Sequence, residues 1–90
     1  MNEDTIIAGM IRKLRRDREV SQAEIAQILH LPQTVVSRIE LGQRRVTLTE
    51  LRLICEHLKM PLVEFVSEYQ DRVQKTPPSK PEKAAPSEPR

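Results

Sequence analysis

Aromatic residues and cysteine are scarce in this chain of 90 residues, which has no tryptophan, one phenylalanine, one tyrosine and one cysteine. A single cysteine cannot form an internal disulfide, and no residue near Cys55 completes a metal-ligand or redox motif. Base stacking needs aromatic platforms near basic residues. Phe65 and Tyr69 both come later in the chain than the segment from Arg12 to Arg45, which contains most of the basic residues of the predicted domain. The sequence therefore disfavours a disulfide scaffold, a metal site and a surface for RNA or single strands.

Long hydrophobic runs are absent as well. Residues 1–4 are acidic, and no apolar stretch approaches the roughly 20 residues that a membrane span needs. We expect neither a secretory signal nor a membrane partner, and a cytoplasmic location is the default. Catalysis is disfavoured, because Cys55 and His57 are two positions apart on a predicted helix and point away from each other. No cofactor and no small-molecule ligand is indicated.

Charge is balanced over most of the chain. Residues 1–70 carry ten Lys and Arg against ten Asp and Glu, so the net charge of +2 comes from residues 71–90. Eight of the ten basic residues lie between Arg12 and Arg45, and acidic residues predominate after them. This polarity suits one surface that faces nucleic acid and another that faces away from phosphates, although ordinary solvated helix faces would also produce it.

Apolar residues recur with helical spacing in five segments. The first predicted helix begins at Asp4 or Thr5, the second spans about 22–29, the third spans about 33–41, and two more follow. Their apolar faces contain Ile7, Ile11 and Leu14; Ile25, Ile28 and Leu29; Val36 and Ile39; Leu51, Ile54, Cys55 and Leu58; and Leu62, Phe65, Val66 and Tyr69. Gly9 interrupts the first helix at a cost in helix propensity, for which close packing is the suggested reason. The pattern predicts a compact all-α fold.

Helix ends are marked by capping and breaking residues. Segments 21–24 and 47–50 both match the capping-box pattern and open the second and fourth helices. Pro32 stops the second helix and suits the start of the third, and Pro61 suits the first turn of the fifth. Gly42 is placed to supply the left-handed residue after the third helix.

The C-terminal part has a different composition. Five of the last 14 residues are proline, and most of the others are Lys, Glu, Ser and Ala, which cannot bury enough surface to offset the entropy of ordering. The sequence therefore predicts a folded domain over residues 1–70 and a disordered, Pro-rich tail over residues 71–90.

Two motifs in the middle of the chain resemble a known family. They are Ser-Gln-Ala-Glu-Ile-Ala at 21–26 and Val-Ser-Arg-Ile-Glu-x-Gly at 36–42, followed by a capped helix that ends in Leu-Lys-Met-Pro at 58–61. Over about residues 7–69 the chain resembles helix-turn-helix domains of the Cro and phage-repressor type, also called the xenobiotic-response-element family. The resemblance implies a repressor-like five-helix domain whose third helix is the recognition helix in the DNA major groove.

The resemblance also implies roles for individual residues. The positions that read base edges in the family are Gln33, Thr34, Ser37 and Arg38, and those that contact the DNA backbone are Gln22, Arg44 and Arg45. The side-chain chemistry agrees, because glutamine can bond adenine bidentately and arginine can bond guanine in the same way. A solvated helix or loop residue without a role in DNA binding is the alternative at each position.

Two further features concern the geometry of the motif. Arg15 and Glu40 occupy positions that, in the phage repressors, form a partly buried ion pair between helices 1 and 3. His30 stands where relatives usually have glycine, at the end of helix 2. Histidine tolerates a positive φ better than most residues, so we expect the turn to survive at a small energetic cost. A pH-sensing role for His30 is an alternative interpretation.

These features predict a transcriptional regulator that binds specific double-stranded DNA and is associated with the nucleoid. A homodimer that represses from a two-fold operator is expected, because one recognition helix touches too few base pairs for specificity in a genome. The predicted dimer interface combines helix 5 with the end of helix 4 and contains Leu53, Val63 and Val66. The alternative is an antitoxin or adaptor whose tail binds a partner protein and whose DNA binding serves autoregulation.

Overall fold

The computed structural model describes residues 3–75, and these residues form five α-helices and no strand. The helices are α1 (Glu3–Asp17), α2 (Gln22–Leu29), α3 (Gln33–Glu40), α4 (Leu48–His57) and α5 (Leu62–Lys75). The all-α, five-helix fold class is therefore confirmed. Within residues 3–75, no helix is both long enough and apolar enough to cross a bilayer.

One hydrophobic core holds the helices together. Six of its side chains are almost fully buried, namely Ile11, Ile25, Val36, Ile54, Cys55 and Leu58. In α1 the buried face is wider than the predicted stripe, since Ile6 and Met10 are also buried while Ile7 is only half-buried. The reason is that α1 packs against both α3 and α5, so two sides of the helix are covered.

The turn between α2 and α3 is closed by His30. Its backbone is left-handed (φ 56°, ψ 43°), and the Leu31 N–H donates to the Ala26 carbonyl at 3.0 Å. Pro32 then provides the extended N-cap of α3. The helix-turn-helix thus forms with histidine in a left-handed backbone conformation that glycine would adopt without strain. Gly42, which follows α3, has a φ of 75° as expected.

The two predicted capping boxes differ in the structure. At α4 the box is complete, because Thr47 and Glu50 each accept a hydrogen bond from the other's backbone N–H. At α2 the Ser21 hydroxyl accepts from the Glu24 N–H, but the Glu24 carboxylate lies 2.6 Å from His57 Nε2 on α4. The carboxylate of Glu24 therefore connects two helices.

Helix α5 continues to Lys75, so the folded part does not end at residue 70. Tyr69 and Val73 pack against the core, and the Tyr69 hydroxyl donates to Glu3 of α1 at 2.9 Å. These tertiary contacts hold the last turns of α5 and are not visible in the local composition. The remainder of the predicted tail, residues 76–90, lies outside the described residues, as does the protein-binding role suggested for it.

Two details of α5 differ from the sequence prediction. The apolar pattern puts Val66 on the core face, but Val66 is 41% exposed, and only Phe65 is fully buried among the residues of this helix. Pro61 precedes the helix instead of lying in its first turn, and its carbonyl accepts from the Phe65 N–H at 3.1 Å.

Candidate nucleic-acid interface

The outer face of α3 makes no side-chain bonds to the part of the chain that the structure describes. Gln33, Thr34 and Arg38 are exposed and Ser37 is half-buried, while Val36 on the opposite face is buried in the core. Among residues 3–75, none of the four outer side chains is hydrogen-bonded or ion-paired to another residue. Their donors and acceptors therefore face solvent, as recognition of an external partner requires.

The inner end of α3 is fixed by an ion pair. Arg15 Nε donates to Glu40 Oε2 at 2.6 Å and Arg15 Nη2 donates to Glu40 Oε1 at 3.0 Å. The side chains are only 11% and 2% exposed, and Arg15 Nη1 also donates to the Val20 carbonyl at 2.8 Å. A bidentate, buried pair of this kind fixes geometry as well as charge. It joins α1 to the end of α3 and to the segment that leads into α2.

Gln22 joins the same network. Its Nε2 donates to Glu40 Oε1 at 3.0 Å, so the first residue of α2 is tied to the last residue of α3. This bond was not anticipated, because no periodic pattern relates residues 18 positions apart. The amide has a second N–H and a carbonyl oxygen in addition, and Gln22 is the first residue of α2, where the backbone N–H groups of a helix have no partner within the helix. Such a helix end favours an anionic group.

Arg44 is engaged within the loop after α3. It forms two bonds to the Glu50 carboxylate, at 2.6 and 3.1 Å, and one to the Arg45 carbonyl at 3.0 Å. The hydrogen bonds from Arg44 lower the pKa of Glu50, and they also raise the pKa of Arg44. Since Glu50 also caps α4, this pair fixes the loop to the start of that helix. The phosphate contact predicted for Arg44 would have to share the guanidinium with Glu50.

Arg45 is much more accessible. Its side chain is 86% exposed, and its one ion pair among the described residues is a 3.1 Å contact to Asp4. Exposed pairs of this geometry contribute less than about 1 kcal/mol. The guanidinium can therefore exchange Asp4 for a phosphate at little cost.

The residues predicted for a dimer interface differ in exposure. Val63 is 80% exposed, whereas Leu53 is half-buried and packs against the core. Leu41 and Leu48, which flank the loop between α3 and α4, are also exposed. Leu48 precedes Leu51 by three positions, a spacing that would place it on the core face. Its location in the first turn of α4 leaves it uncovered.

Cys55 has no place in this interface. It is buried in the core, and burial raises the pKa of its thiol to about 11, so that the thiol stays protonated and inert near neutral pH.

Comparison with known proteins agrees with this geometry. The model of a helix-turn-helix family matches residues 11–65, more than half of the chain. A search of curated proteins gives no match. Among solved structures, the wild-type restriction-modification controller protein C.Esp1396I is 25% identical, with a TM-score of 0.71 over 83% of this chain and 99% of that one.

Other solved structures are similar to this chain as well. The C.Esp1396I tetramer in complex with its natural 35-base-pair operator is 25% identical and has a TM-score of 0.70, covering 83% of this chain and 99% of that one. The clp gene regulator ClgR from Corynebacterium glutamicum is 19% identical, with a TM-score of 0.73 over 82% of this chain and 79% of that one, and shows the fold alone. Fold, motif and family model agree, and the chain belongs to the Cro and phage-repressor type helix-turn-helix family of DNA-binding transcriptional regulators.

Proposed function

We propose that this protein binds a specific double-stranded DNA operator as a homodimer and represses transcription from it. The observation that carries the proposal is the contrast within α3, whose inner end is fixed by Arg15 and Glu40 while its outer side chains have no partner among residues 3–75. A rigid helix with unsatisfied donors and acceptors on one exposed face is suited to a groove that presents a fixed pattern of base edges.

The outer face of α3 supplies the base contacts in this proposal. Arg38 can donate two hydrogen bonds to O6 and N7 of guanine, and Gln33 can pair with N6 and N7 of adenine. Thr34 and Ser37 are short and can donate to or accept from several base edges. Each good bidentate contact discriminates against a wrong base by about 1–3 kcal/mol. Two such contacts in each half-site give useful selectivity when two half-sites are bound together.

Backbone contacts hold that face in register. Gln22, at the start of α2, is bonded to the last residue of the recognition helix, and the loop with Arg45 follows that residue. Contacts to phosphates position a protein on the duplex and carry no base code. Arg45 is the stronger candidate of the two loop arginines, because the Glu50 carboxylate already neutralises Arg44.

Dimerisation supplies the second recognition helix, which binds the second half-site of the operator. Two copies related by a two-fold axis would place their recognition helices about 34 Å apart, in successive turns of the major groove. Val63 and Val66 are exposed apolar residues on α5. Leu53 lies on α4, and α4 packs against α5. The similar controller protein C.Esp1396I forms a tetramer on its operator, which supports an assembly of several copies here too.

In this proposal, the dimer represses transcription by occupying its operator. A dimer that covers a promoter excludes other proteins from it, and this needs no contact with polymerase. Activation would need such a contact, and no observation on the described residues favours one.

Selection of bound duplexes from a random library tests the proposal. We expect a motif with two-fold symmetry and half-sites one helical turn apart, and sedimentation of the free protein should give a dimer at micromolar concentration. A reporter placed behind the selected site should lose expression when the protein is present. Binding without sequence preference, or a monomer that selects a single half-site, would contradict the proposal.

A further inference from the structure

One exposed strip of α1 carries Thr5, Gly9, Arg12 and Arg16. These residues are spaced by four, three and four positions, so they follow one another along a single face of the helix. We call them the α1 strip. Neither α3 nor α5, which pack against the other faces of α1, covers it.

The two arginines of the strip have no compensating charge. Lys13 pairs with Asp17 at 2.8 Å and Arg15 pairs with Glu40, but neither Arg12 nor Arg16 has an ion pair with any residue from 3 to 75. Like charges at positions i and i+4 of a helix repel each other and destabilise it slightly. The strip thus has two positive charges that the rest of the described chain leaves unneutralised.

Gly9 gives the strip a second unusual feature. A Cβ atom built on this glycine would meet no atom of residues 3–75 within 4 Å, so packing among these residues does not require glycine. The close packing suggested from the sequence is therefore not the reason for it. Glycine in the middle of a helix is destabilising, and one of its recognised uses is to let a ligand approach the backbone closely.

The position of the strip relates it to the DNA-facing elements. At its start Thr5 lies against the loop after α3, because a Cβ on Gly42 would be 3.6 Å from Thr5 Oγ1. Next to its far end Arg15 reaches Glu40, which in turn holds Gln22 at the start of α2. One end of the strip thus lies at the loop after α3, and the other end lies next to the Arg15–Glu40–Gln22 network, which includes the start of α2.

From these observations we infer that the α1 strip binds the sugar-phosphate backbone of the duplex, with Arg12 and Arg16 contacting phosphates and Gly9 allowing the strand to approach. This inference rests on the proposed function and extends its contact surface beyond α2, α3 and the loop. Arg12 and Arg16 are about 6 Å apart along the helix axis at 1.5 Å per residue. Each strand of a duplex carries one phosphate per about 3.4 Å, so both arginines can reach the same strand.

The experiment measures how duplex affinity depends on salt for Arg12→Gln and Arg16→Gln in the full chain. The probes are the duplex selected from the random library and a scrambled duplex of the same length. Losing one phosphate contact should lower the slope of log K against log salt by about 0.9 per subunit, equally for both probes. The preferred bases should not change, since phosphates carry no base code. Lys13→Gln is the matched control, because it removes the same charge from an exposed position of the same helix that lies outside the α1 strip.

Gly9→Ala gives an independent measurement. The substitution should raise the melting temperature, because alanine favours a helix, and yet weaken binding to both duplexes. Unchanged slopes in both arginine variants, or an equal loss in Lys13→Gln, would overturn the inference while leaving the proposed function intact. Failure of the wild-type chain to bind any duplex would overturn the proposed function itself, and the inference with it.

Discussion

The two faces of α3 differ in how completely their side chains are used within the chain. On the inner face, Val36 and Ile39 are buried in the core and Glu40 accepts hydrogen bonds from two other segments. On the outer face, Gln33, Thr34 and Arg38 are exposed and have no internal partner among the described residues. In the proposed function, stability and recognition are therefore carried by different residues of a single eight-residue helix.

This separation has a physical reason. A side chain that must recognise an external pattern has to keep its donors and acceptors available, while the helix that carries it must not move when they are used. Burying Glu40 against the donors of Arg15 and Gln22 provides the second condition without using any atom of the outer face. Substitutions on the two faces should consequently have different effects, which can be measured separately.

The largest expected effect is on stability, when the inner ion pair is broken. Removing one partner leaves the other charge buried and unpaired, so Glu40→Ala and Arg15→Ala should each lower the free energy of unfolding by about 3–5 kcal/mol. Lys13→Ala removes an exposed pair and should cost less than about 1 kcal/mol. Thermal and urea unfolding measure the difference. If the Arg15 and Glu40 variants melt like wild type, the pair does not hold α3.

A charge in the proposed dimer interface should change assembly without unfolding the monomer. Val63 is 80% exposed, so Val63→Glu leaves the core intact but would bury a carboxylate between two copies. We expect sedimentation at micromolar concentration to shift from dimer to monomer, with an unchanged circular dichroism spectrum. Gln27→Glu, which adds the same charge at an exposed position of α2, should remain dimeric. A dimeric Val63→Glu variant would show that the interface lies elsewhere.

A smaller, pH-dependent effect is expected for Arg44→Gln. Arg44 holds the pKa of Glu50 below its ordinary value. The pair therefore stabilises the native state at pH values above the pKa that Glu50 has in the unfolded chain. That contribution is lost as the pH falls through the lower pKa of the folded state. The variant should be less stable by up to about 1 kcal/mol at neutral pH and should match wild type in strong acid. A stability difference that persists unchanged in acid would mean that Arg44 acts through something other than this ion pair.

The smallest effect is a gain in stability. Gly9 lies on an exposed face with open space around it, so Gly9→Ala should stabilise the protein by about 0.5–1 kcal/mol. Chemical denaturation measures this change. An unchanged m-value, the slope of the free energy of unfolding against denaturant concentration, would show that the native state is not remodelled. Destabilisation would mean that the glycine has a structural role within the chain.

Local patterns in the sequence predicted most of the fold. Capping residues and helical periodicity mark the starts of α2 and α4, and Gly42 marks the end of α3. Left-handed residues at Glu19 and Lys59 were not foreseen, because neither residue type favours a positive φ. The predicted boundary at residue 70 falls before the end of α5, since Tyr69 and Val73 are held by contacts with other parts of the core.

The candidate site was less accessible to sequence reasoning. The outer residues of α3 and the pairing of Arg15 with Glu40 came from resemblance to a family, which supplies positions but not distances. The bond from Gln22 to Glu40 and the pair between Arg44 and Glu50 depend on how the helices and the loop fold together. No periodic spacing relates these residues, so only the structure shows that Arg44 is engaged and Arg45 is free to exchange its partner.

Competition binding with Arg38→Ala and Arg45→Ala tests the central claim most directly. The claim predicts that Arg38→Ala loses about 1–3 kcal/mol on the selected duplex, keeps its affinity for a scrambled duplex, and relaxes selection at one base pair per half-site. Arg45→Ala should weaken both duplexes alike and lower the salt slope by about 0.9 per subunit. If Arg38→Ala weakens both duplexes equally while Arg45→Ala changes the preferred bases, the assignment of the two faces is wrong.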